Sequence, residues 1–475
     1  MDATLDRDLL SEDAPAPASL SRVGHLLDRS IFYGVLIVIA LTAIPYGTVQ
    51  PWWIALFECL IFAITILAVV DALVSQKPGV PLVRLTPVIA LIVFVLVQSA
   101  PIFSSSGPVA VRTAISADPF GTRQLAIRLL AFALAGLLLL RYASSRERLR
   151  MLIYLVIGIS VASACFGLMR RSLQTGPGFL LPALQSGSGF AQFINRNHFS
   201  FLIEMSLGLS LGLIVGEVRR YRRVLALILL SALMWVALIY SNSRGGIIAS
   251  LCQFLFLAVL IDPVRRLTAR RAETNWSRFQ KLVGGVVVRI FLIASLVAVF
   301  AYGVGWVGGE QVVTNFEQAD TAFDQPGLDI RVNTRRKQIW ASTWQLIKAN
   351  PIAGVGFGGY WIGITKYHDA SGTSTPQEAH NDYLELLASG GLIGAALVAV
   401  FIVIFLKRAR RNLHSRDPFR RAACLGALTG IFGVAVHSFV DFGLHITINA
   451  LVFGVLIIIA VARPHDPLVR GELTV

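Results

Sequence analysis

The sequence predicts an all-α polytopic membrane protein with about 12 transmembrane helices and one large loop on the outer side. Hydrophobic residues make up 55% of the 475 residues, charged residues make up 15%, and the mean hydropathy is +0.69. A soluble domain of this size needs more charge to cover its surface. Apolar runs of about 20 residues recur along the chain, which is the length that a membrane-spanning helix needs. Basic residues concentrate in alternate connections between these runs.

The predicted spans divide the chain into five parts. The spans cover residues 31–49, 52–74, 85–103, 123–140, 149–169, 197–216, 224–241, 244–261, 285–307, 383–406, 421–440 and 445–462. The parts are an N-terminal tail (1–30), spans one to nine (31–307), a loop (308–382), spans ten to twelve (383–462) and a C-terminal tail (463–475). The N-terminal tail is polar and lacks the apolar core of a signal peptide, so we expect a cytoplasmic tail.

The distribution of lysine and arginine predicts the orientation of the spans. Of the 42 such residues, 28 fall in segments on the same side as the N-terminus, 12 on the other side and 2 within spans. Cytoplasmic loops of membrane proteins carry the excess of basic residues. Both termini are therefore predicted to be cytoplasmic, and loop 308–382 to lie outside. An outer loop of this length is usually functional.

The net charge of +15 does not indicate a nucleic-acid partner, because the basic cytoplasmic loops account for it. The cysteines also indicate no special chemistry. Cys59, Cys165, Cys252 and Cys424 each lie in an apolar run and lack the spacing of metal ligands, so they are predicted to be small core residues. No cofactor is predicted.

Three helix starts on the predicted outer side carry the candidate functional residues. Arg196, Asn197 and His198 open the sixth span, Arg244 opens the eighth, and His380 opens the tenth. A helix N-terminus offers free N–H groups and a partial positive charge, and guanidinium groups suit phosphate oxygens. We therefore predict a site for a pyrophosphate headgroup, with His380 as a proton acceptor.

Several candidates also have simpler interpretations. Arg196 could snorkel at the membrane interface, His380 could cap its own helix, and His198 could only hold Arg196 in place. Asn381 follows His380 and is predicted to bind substrate beside it. Arg128 lies inside the fourth span, where an arginine is either functional or snorkels to the surface.

The long outer loop contains a predicted amphipathic helix at residues 331–349. Its apolar stripe consists of Ile339, Trp340, Trp344 and Ile347. Arg336 lies four residues before Trp340, on the same side, and is a candidate contact for a substrate phosphate. The helix is predicted to lie on the membrane or over the site.

Two further motifs are weaker. The glycine-rich segment 354–359 lacks the strand that a dinucleotide-binding loop follows, so we interpret it as a flexible turn. His437, Asp441 and His445 have a spacing of four residues that resembles a metal site. Phe442 and Gly443 interrupt the helix between them, and no metal is predicted.

Together the motifs resemble those of the O-antigen ligase and Wzy-type polysaccharide polymerase superfamily of bacterial inner membranes. The matching pieces are NRNHFSFL at the sixth span, SNSRGG at the eighth, the arginine helix followed by NP and GVGFGGY, and AHNDYLELLASGGLIG at the tenth. The terminal HSFVDFGLHITINALVFGVL is similar to that of exopolysaccharide members. The resemblance spans roughly residues 115–460.

The resemblance implies a GT-C-like fold and a metal-independent, inverting glycosyltransferase that acts on the periplasmic side. The donor would be a glycan on undecaprenyl pyrophosphate. The acceptor would be a sugar hydroxyl, on lipid A-core for a ligase or on another lipid-linked repeat for a polymerase. The family's histidine corresponds to His380, and its arginines correspond to Arg196, Arg244 and Arg336.

Other function classes compete with the enzyme. A transporter or flippase of lipid-linked oligosaccharides also suits twelve spans, but should show repeat symmetry and broken helices near the midplane. No clear repeat is found, and the polar candidates cluster at one side. A non-catalytic scaffold would tolerate loss of Arg196 and Arg244 together. Within the enzyme class, ligase and polymerase stay open.

Overall fold

A computed structural model describes the main body of the chain. The described residues are 18–75, 85–102, 113–143, 145–186, 189–216, 221–260, 328–368 and 376–462, with the isolated residues 294 and 298. Over these residues the regular structure is helical, apart from two isolated β-bridges. The predicted tail 463–475 and most of residues 1–30 lie outside them.

Eight of the described helices are long and apolar enough to cross a membrane, and three shorter apolar helices accompany them. The long ones are α1 (Ala18–Thr42), α2 (Pro51–Ser75), α4 (Pro119–Tyr142), α5 (Arg146–Leu173), α6 (Arg196–Gly216), α7 (Tyr221–Tyr240), α10 (Asp382–Leu413) and α11 (Pro418–His437). The shorter ones are α3 (Thr86–Ser99), α8 (Arg244–Leu260) and α12 (Thr447–Val461). A polar helix, α9, covers Leu328–Ala349.

These apolar helices correspond to eleven of the twelve predicted spans, and the ninth prediction, 285–307, falls outside the described ranges apart from residues 294 and 298. The first span was predicted too late in the chain. α1 ends at Thr42 rather than at residue 49. Pro45 cannot continue a helix, and Tyr46, Gly47 and Thr48 all adopt positive φ in the turn that follows.

The central pair of the bundle is α6 against α11. Glycines at a spacing of four let their backbones meet. A Cβ on Gly208 would lie 2.2 Å from the Gly430 nitrogen, and one on Gly212 would lie 2.3 Å from the Gly426 nitrogen. This close approach fixes the start of α6 beside the end of α11, which is where the candidate site lies.

The helix ends form two groups at opposite ends of the bundle. At one end, Thr447 donates to the Thr48 carbonyl at 2.7 Å and Tyr46 accepts from the Ala183 amide at 2.9 Å. We call this the site end. At the other end, Tyr142 donates to Asp71 at 2.8 Å, and Arg148 pairs with Asp28. The helix ends that meet at each end of the bundle agree with the predicted alternation of the spans. The compartment that each end faces stays a prediction.

Helix α10 is broken at Gly391, which has φ 59° and ψ −160°. The segment 351–356 runs beside the break, and the Val355 amide donates to the Ala388 carbonyl at 2.9 Å. The buried amide of Gln98 donates to the carbonyls of Ala353 and Ser389 at 2.7 and 3.0 Å. The glycine-rich turn is therefore packed into the bundle: a Cβ on Gly354 would lie 2.4 Å from the Ser389 backbone.

The predicted amphipathic helix is α9, and it packs on the protein. Leu346 and Ile347 join a cluster with Tyr360 and Ala388, so the apolar face lies against α10. Trp344 is half exposed. The structure thus has the helix packed at the site end, and its contact with the membrane stays a prediction.

Candidate functional site

The site is built around the carboxylate of Asp441, whose side chain is 0% exposed. On one oxygen, Oδ1 accepts from the Phe442 amide at 2.9 Å and lies 3.6 Å from His380 Nδ1. On the other, Oδ2 accepts a hydrogen bond from Asn197 Nδ2 and lies 3.9 Å from an Arg336 Nη2. Residues from four separate stretches of the chain therefore meet at one carboxylate.

The turn after α11 positions Asp441. The Val440 and Asp441 amides donate to the His437 carbonyl at 2.9 and 3.2 Å. His437 itself is buried and contacts Glu204 of α6, with 2.7 Å between Nδ1 and Oε1. Its ring stacks on Phe201 at 4.2 Å. The end of α11 is thus anchored to α6 on the side away from solvent.

His380 lies in a strained turn just before α10. It has φ 50°, in a region that a residue with a side chain rarely adopts. Both neighbours are held: the Ala379 carbonyl accepts from Trp340 Nε1 at 3.0 Å, and Asn381 Nδ2 donates to the Phe439 carbonyl at 2.9 Å. Its side chain is 32% exposed, so a substrate can reach it.

The cap of α10 is Asn381. Its Oδ1 accepts from the Tyr383 and Leu384 amides, both at 3.0 Å. A side-chain acceptor at this position satisfies two of the free N–H groups at a helix start. The capping role considered for His380 therefore belongs to its neighbour, and the Asn381 amide is used for structure on both its oxygen and its nitrogen.

Arg336 reaches the site from α9, with 17% of its side chain exposed. α9 lies over the start of α10, and the Trp340 indole and the Arg336 guanidinium point to the same region, as their spacing predicts. The buried Nε of Arg336 has no hydrogen-bond partner among the described residues. This leaves donor capacity for an anionic ligand beside His380.

The start of α6 completes the site. Asn197 accepts from Ser243 Oγ at 2.8 Å while it donates to Asp441. Ser243 directly precedes Arg244, the first residue of α8, so the two predicted helix starts lie side by side. His198 is buried, with its ring edge-on to Phe442 at 5.1 Å, and His380 meets the same ring at 4.8 Å.

The glycines after Arg244 pack against protein. A Cβ on Gly245 would lie 2.5 Å from His437 Nε2, and one on Gly246 would lie 2.6 Å from the Ser200 Cβ. Residues of α6 and α11 fill the space beside these two glycines.

The electrostatics of the site keep Asp441 charged. Burial alone raises the pKa of this carboxyl, but its proximity to the His380 ring and to the Arg336 charge holds it well below its usual range. A buried carboxylate with these neighbours is a fixed negative charge.

Two predicted site residues lie elsewhere. Arg196 is exposed and lines a cavity with Arg170 and Arg171, and Asp441 is not among the residues that line this cavity. Arg128 lies 3.7 Å from Glu58 of α2, measured between Nε and Oε1. The structure brings His380, Arg336, Asn197 and His198 together, with Asn381 and Arg244 adjacent to them.

The three residues with metal-like spacing have three different sets of partners. His437 contacts Glu204, Asp441 lies between His380 and Arg336, and His445 Nδ1 lies 3.1 Å from Glu378 Oε2. A different set, Glu378, Glu385 and His445, brings possible metal-ligand atoms within 4.8 Å of one another. His445 lies between the two carboxyls, 3.1 Å from Glu378 Oε2 and 3.4 Å from Glu385 Oε1, and these contacts account for the arrangement.

The His445 cluster also adjoins Phe442, with 5.8 Å between the centroids of the His445 and Phe442 rings. Burial lowers the pKa of His445, but the carboxylates of Glu378, Glu385 and Asp382 and the bond to Glu378 raise it well above its usual value. Conversely, burial raises the pKa of Glu378 and the nearby His445 outweighs it, so the net direction is downward. This ion pair ties the segment before His380 to the turn after α11.

Comparison with known proteins bears on the central part of the chain. Residues 228–399 match the family model described as O-antigen ligase. The match confirms the family resemblance for the motifs that lie within this range. No curated protein matches the chain.

The O-antigen ligase match includes Arg244, Arg336 and His380, whereas Asn197 and Asp441 lie outside it. With the apolar helices, it indicates an integral membrane protein that is similar to O-antigen ligases over residues 228–399. Asp441 is the residue of this cluster that the sequence did not select as a functional residue, because it was considered only within a metal motif that was rejected. An acidic residue in an apolar turn is itself a signal, because a buried carboxylate needs partners.

Proposed function

We propose that this protein transfers a glycan from undecaprenyl pyrophosphate to a sugar hydroxyl, at the periplasmic face of the bacterial inner membrane. The observation that carries the proposal is the placement of His380 and Arg336 at the two oxygens of one buried carboxylate. A base and a cation held side by side suit a reaction in which a proton leaves one reactant and negative charge develops on the other.

In the proposed reaction, His380 Nε2 accepts the proton of the acceptor hydroxyl as its oxygen attacks the anomeric carbon of the donor sugar. A new C–O bond forms while the bond between that carbon and the pyrophosphate oxygen breaks. The electron pair of the broken bond stays on the pyrophosphate. A single displacement of this kind inverts the anomeric centre, and base catalysis of this type contributes about 10²–10⁴-fold in rate.

Asp441 orients the base. Its carboxylate faces His380 Nδ1, which favours the tautomer with a proton on Nδ1 and leaves Nε2 to accept. Its negative charge also stabilises the imidazolium that forms during the reaction, as in other histidine–aspartate pairs. Because its pKa is held low, Asp441 stays ionised when His380 takes the proton.

Arg336 and Arg244 stabilise the leaving pyrophosphate. Guanidinium groups provide two parallel donors that match phosphate oxygens, and charge aimed at a developing anion is a large catalytic term. Arg336 also contacts Asp441, so its position is coupled to that of the base. Asn197 and Asn381 are positioning residues, and His198 packs against the Phe442 ring that His380 also meets.

The decisive experiment is reconstitution of the purified protein with a lipid-pyrophosphate-linked glycan and an acceptor. The His380→Ala variant should match the wild type in any movement of lipid-linked glycan across the membrane. It should transfer no glycan to the acceptor. A variant that changes lipid movement and leaves transfer intact would instead indicate a transporter. Full transfer by Arg244→Ala would indicate that Arg244 has no part in the reaction.

Glycan analysis of cells that lack the gene separates the two acceptor classes. A polymerase should leave single repeats attached to lipid A-core. A ligase should leave bare core and accumulated lipid-linked polymer.

A further inference from the structure

A second cationic site lies beside the His380 cluster, in a cavity lined by Arg170, Arg171 and Arg196. The cavity is separate from Asp441 but shares a wall with it. Ser241 and Asn242 line the cavity, and the next residue, Ser243, donates to Asn197 of the Asp441 cluster. The wall between the two sites is thus the junction of α6 and α8.

Arg170 gives this cavity a rigid base. Its side chain is buried, and its guanidinium donates to the Gln174 side chain at 2.6 Å, the Ala191 carbonyl at 2.8 Å and the Gln185 carbonyl at 2.6 Å. These acceptors are neutral oxygens, one of a side-chain amide and two of the backbone. The positive charge is therefore held in place.

The charged side chains that line the cavity are basic. Among the described residues that line it, three are arginines and none is acidic. Arg171 and Arg196 are exposed at the rim. Guanidinium groups are donors that proteins use for phosphate.

Apolar side chains flank the mouth of the cavity. Tyr240 lines it and is 57% exposed, Leu173 directly precedes the lining residue Gln174 and is 63% exposed, and Ile194 lies two residues before Arg196 and is 50% exposed. Tyr240 and Leu173 lie at the ends of apolar helices that are long enough to span a membrane, and Ile194 lies just before the start of a third such helix. A ligand with a phosphate group and an attached hydrocarbon chain fits both features, whereas a free anion uses only the arginines.

We propose that this cavity binds the phosphate group of a membrane lipid, at a site distinct from the His380 cluster. On the proposed function, which this step assumes, the leaving pyrophosphate of the donor must lie beside His380. The second phosphate site then holds the other lipid substrate, an acceptor carried on a phosphorylated lipid. Arg196 is accordingly a binding residue for the acceptor rather than a group that assists the leaving pyrophosphate.

The test measures lipid binding by the purified full-length protein, without any transfer reaction. Phosphatidic acid is the probe for a lipid phosphate, phosphatidylcholine is the neutral-headgroup reference, and inorganic phosphate is the probe for a free anion. The variant is Arg171→Gln with Arg196→Gln, which leaves the buried Arg170 intact. The matched control is Arg123→Gln, because Arg123 is exposed at the start of α4, at the site end, and lies outside the cavity.

We expect the double variant to bind phosphatidic acid about tenfold more weakly than the wild type, since it loses two charge-assisted contacts. Arg123→Gln should bind it as the wild type does. Equal weakening in the control would mean attraction to surface charge in general and would overturn the proposal. Unchanged binding of phosphatidic acid by the double variant would also overturn the proposal. The same holds if inorganic phosphate binds as tightly as phosphatidic acid.

Kinetics separate this inference from the proposed function. The double variant should raise KM for the acceptor and leave KM for the donor unchanged, whereas a rise in the donor KM alone would overturn the acceptor assignment. His380→Ala should bind phosphatidic acid normally. If the wild type shows no transfer at all, the proposed function is wrong. The binding of phosphatidic acid still tests the phosphate site independently of that result.

Discussion

His380 and Asp441 face each other across 3.6 Å, although one precedes α10 and the other follows α11. The two turns are joined directly: the Asp382 amide donates to the Ser438 carbonyl at 3.0 Å, and Ser438 Oγ donates to Asp382 Oδ2 at 2.6 Å. The geometry of the proposed base therefore depends on the packing of two helices. Four predictions follow from this arrangement and from the packing that supports it.

Replacing His380 by glutamine should reduce glycan transfer by about 10²–10⁴-fold, because the proton acceptor is lost while the side-chain size is nearly kept. Transfer from a lipid-pyrophosphate donor is the measurement. His414→Gln is the matched control, since His414 is exposed at the opposite end of the bundle and contacts only the Arg410 carbonyl among its described hydrogen bonds. Normal transfer by His380→Gln would remove this residue from the mechanism.

Asp441→Asn should lower kcat by up to about 10⁴-fold and change substrate binding little, because the amide can favour the wrong histidine tautomer and carries no charge. The substitution also leaves Arg336 without its counterion. Steady-state kinetics of kcat and KM distinguish this outcome from a loss of fold, which would lower the amount of active protein. A KM effect without a kcat effect would contradict the orienting role.

The His445–Glu378 pair should make stability depend on pH in a defined window. The folded pKa of His445 is raised, so its contribution is fully present below the unfolded value of about 6.5 and is lost as the pH rises through the folded value. The folded pKa of Glu378 is lowered, so its contribution is present above about 4.3 and is lost as the pH falls through the folded value.

Thermal unfolding of the wild type and of His445→Gln, measured across this range, checks the window. The Tm difference between them should be largest between these limits and should shrink at alkaline pH. A difference that is constant with pH would show that the ion pair contributes no linked stability.

Gly208→Ala should destabilise the protein by about 1–3 kcal/mol, as overpacking in a tight interior does. The added Cβ would lie 2.2 Å from the Gly430 nitrogen, so α6 and α11 must separate. Transfer should fall as well, because the same two helices carry Asn197 and Asp441. Gly454→Ala in α12 is the control: its Cβ meets nothing within 4 Å, so no loss of stability is expected. Equal effects of the two substitutions would contradict the role of close packing.

Much of this arrangement was predictable from residue patterns. The starts of α6 and α8 were predicted to within a residue, because a polar cluster directly precedes each apolar run. The helix at Leu328–Ala349 was predicted from apolar spacing, which is a local property. The first span was misplaced because the pattern of apolar residues continues past Pro45 into a turn.

By itself, the sequence determined that this is a helical membrane protein, and it made His380 and Arg336 candidates for contact with the same substrate. Hydropathy and charge are properties of each residue that do not depend on its contacts in the fold. The sequence alone therefore predicts the features that depend on them. Only the tertiary structure decided that Asp441 lies between His380 and Arg336, that Arg196 faces a separate cavity and that Arg128 pairs with Glu58. These contacts join residues that are distant in the chain, and they arise from the angles at which glycine-lined helices pack. A one-dimensional pattern contains no record of those angles.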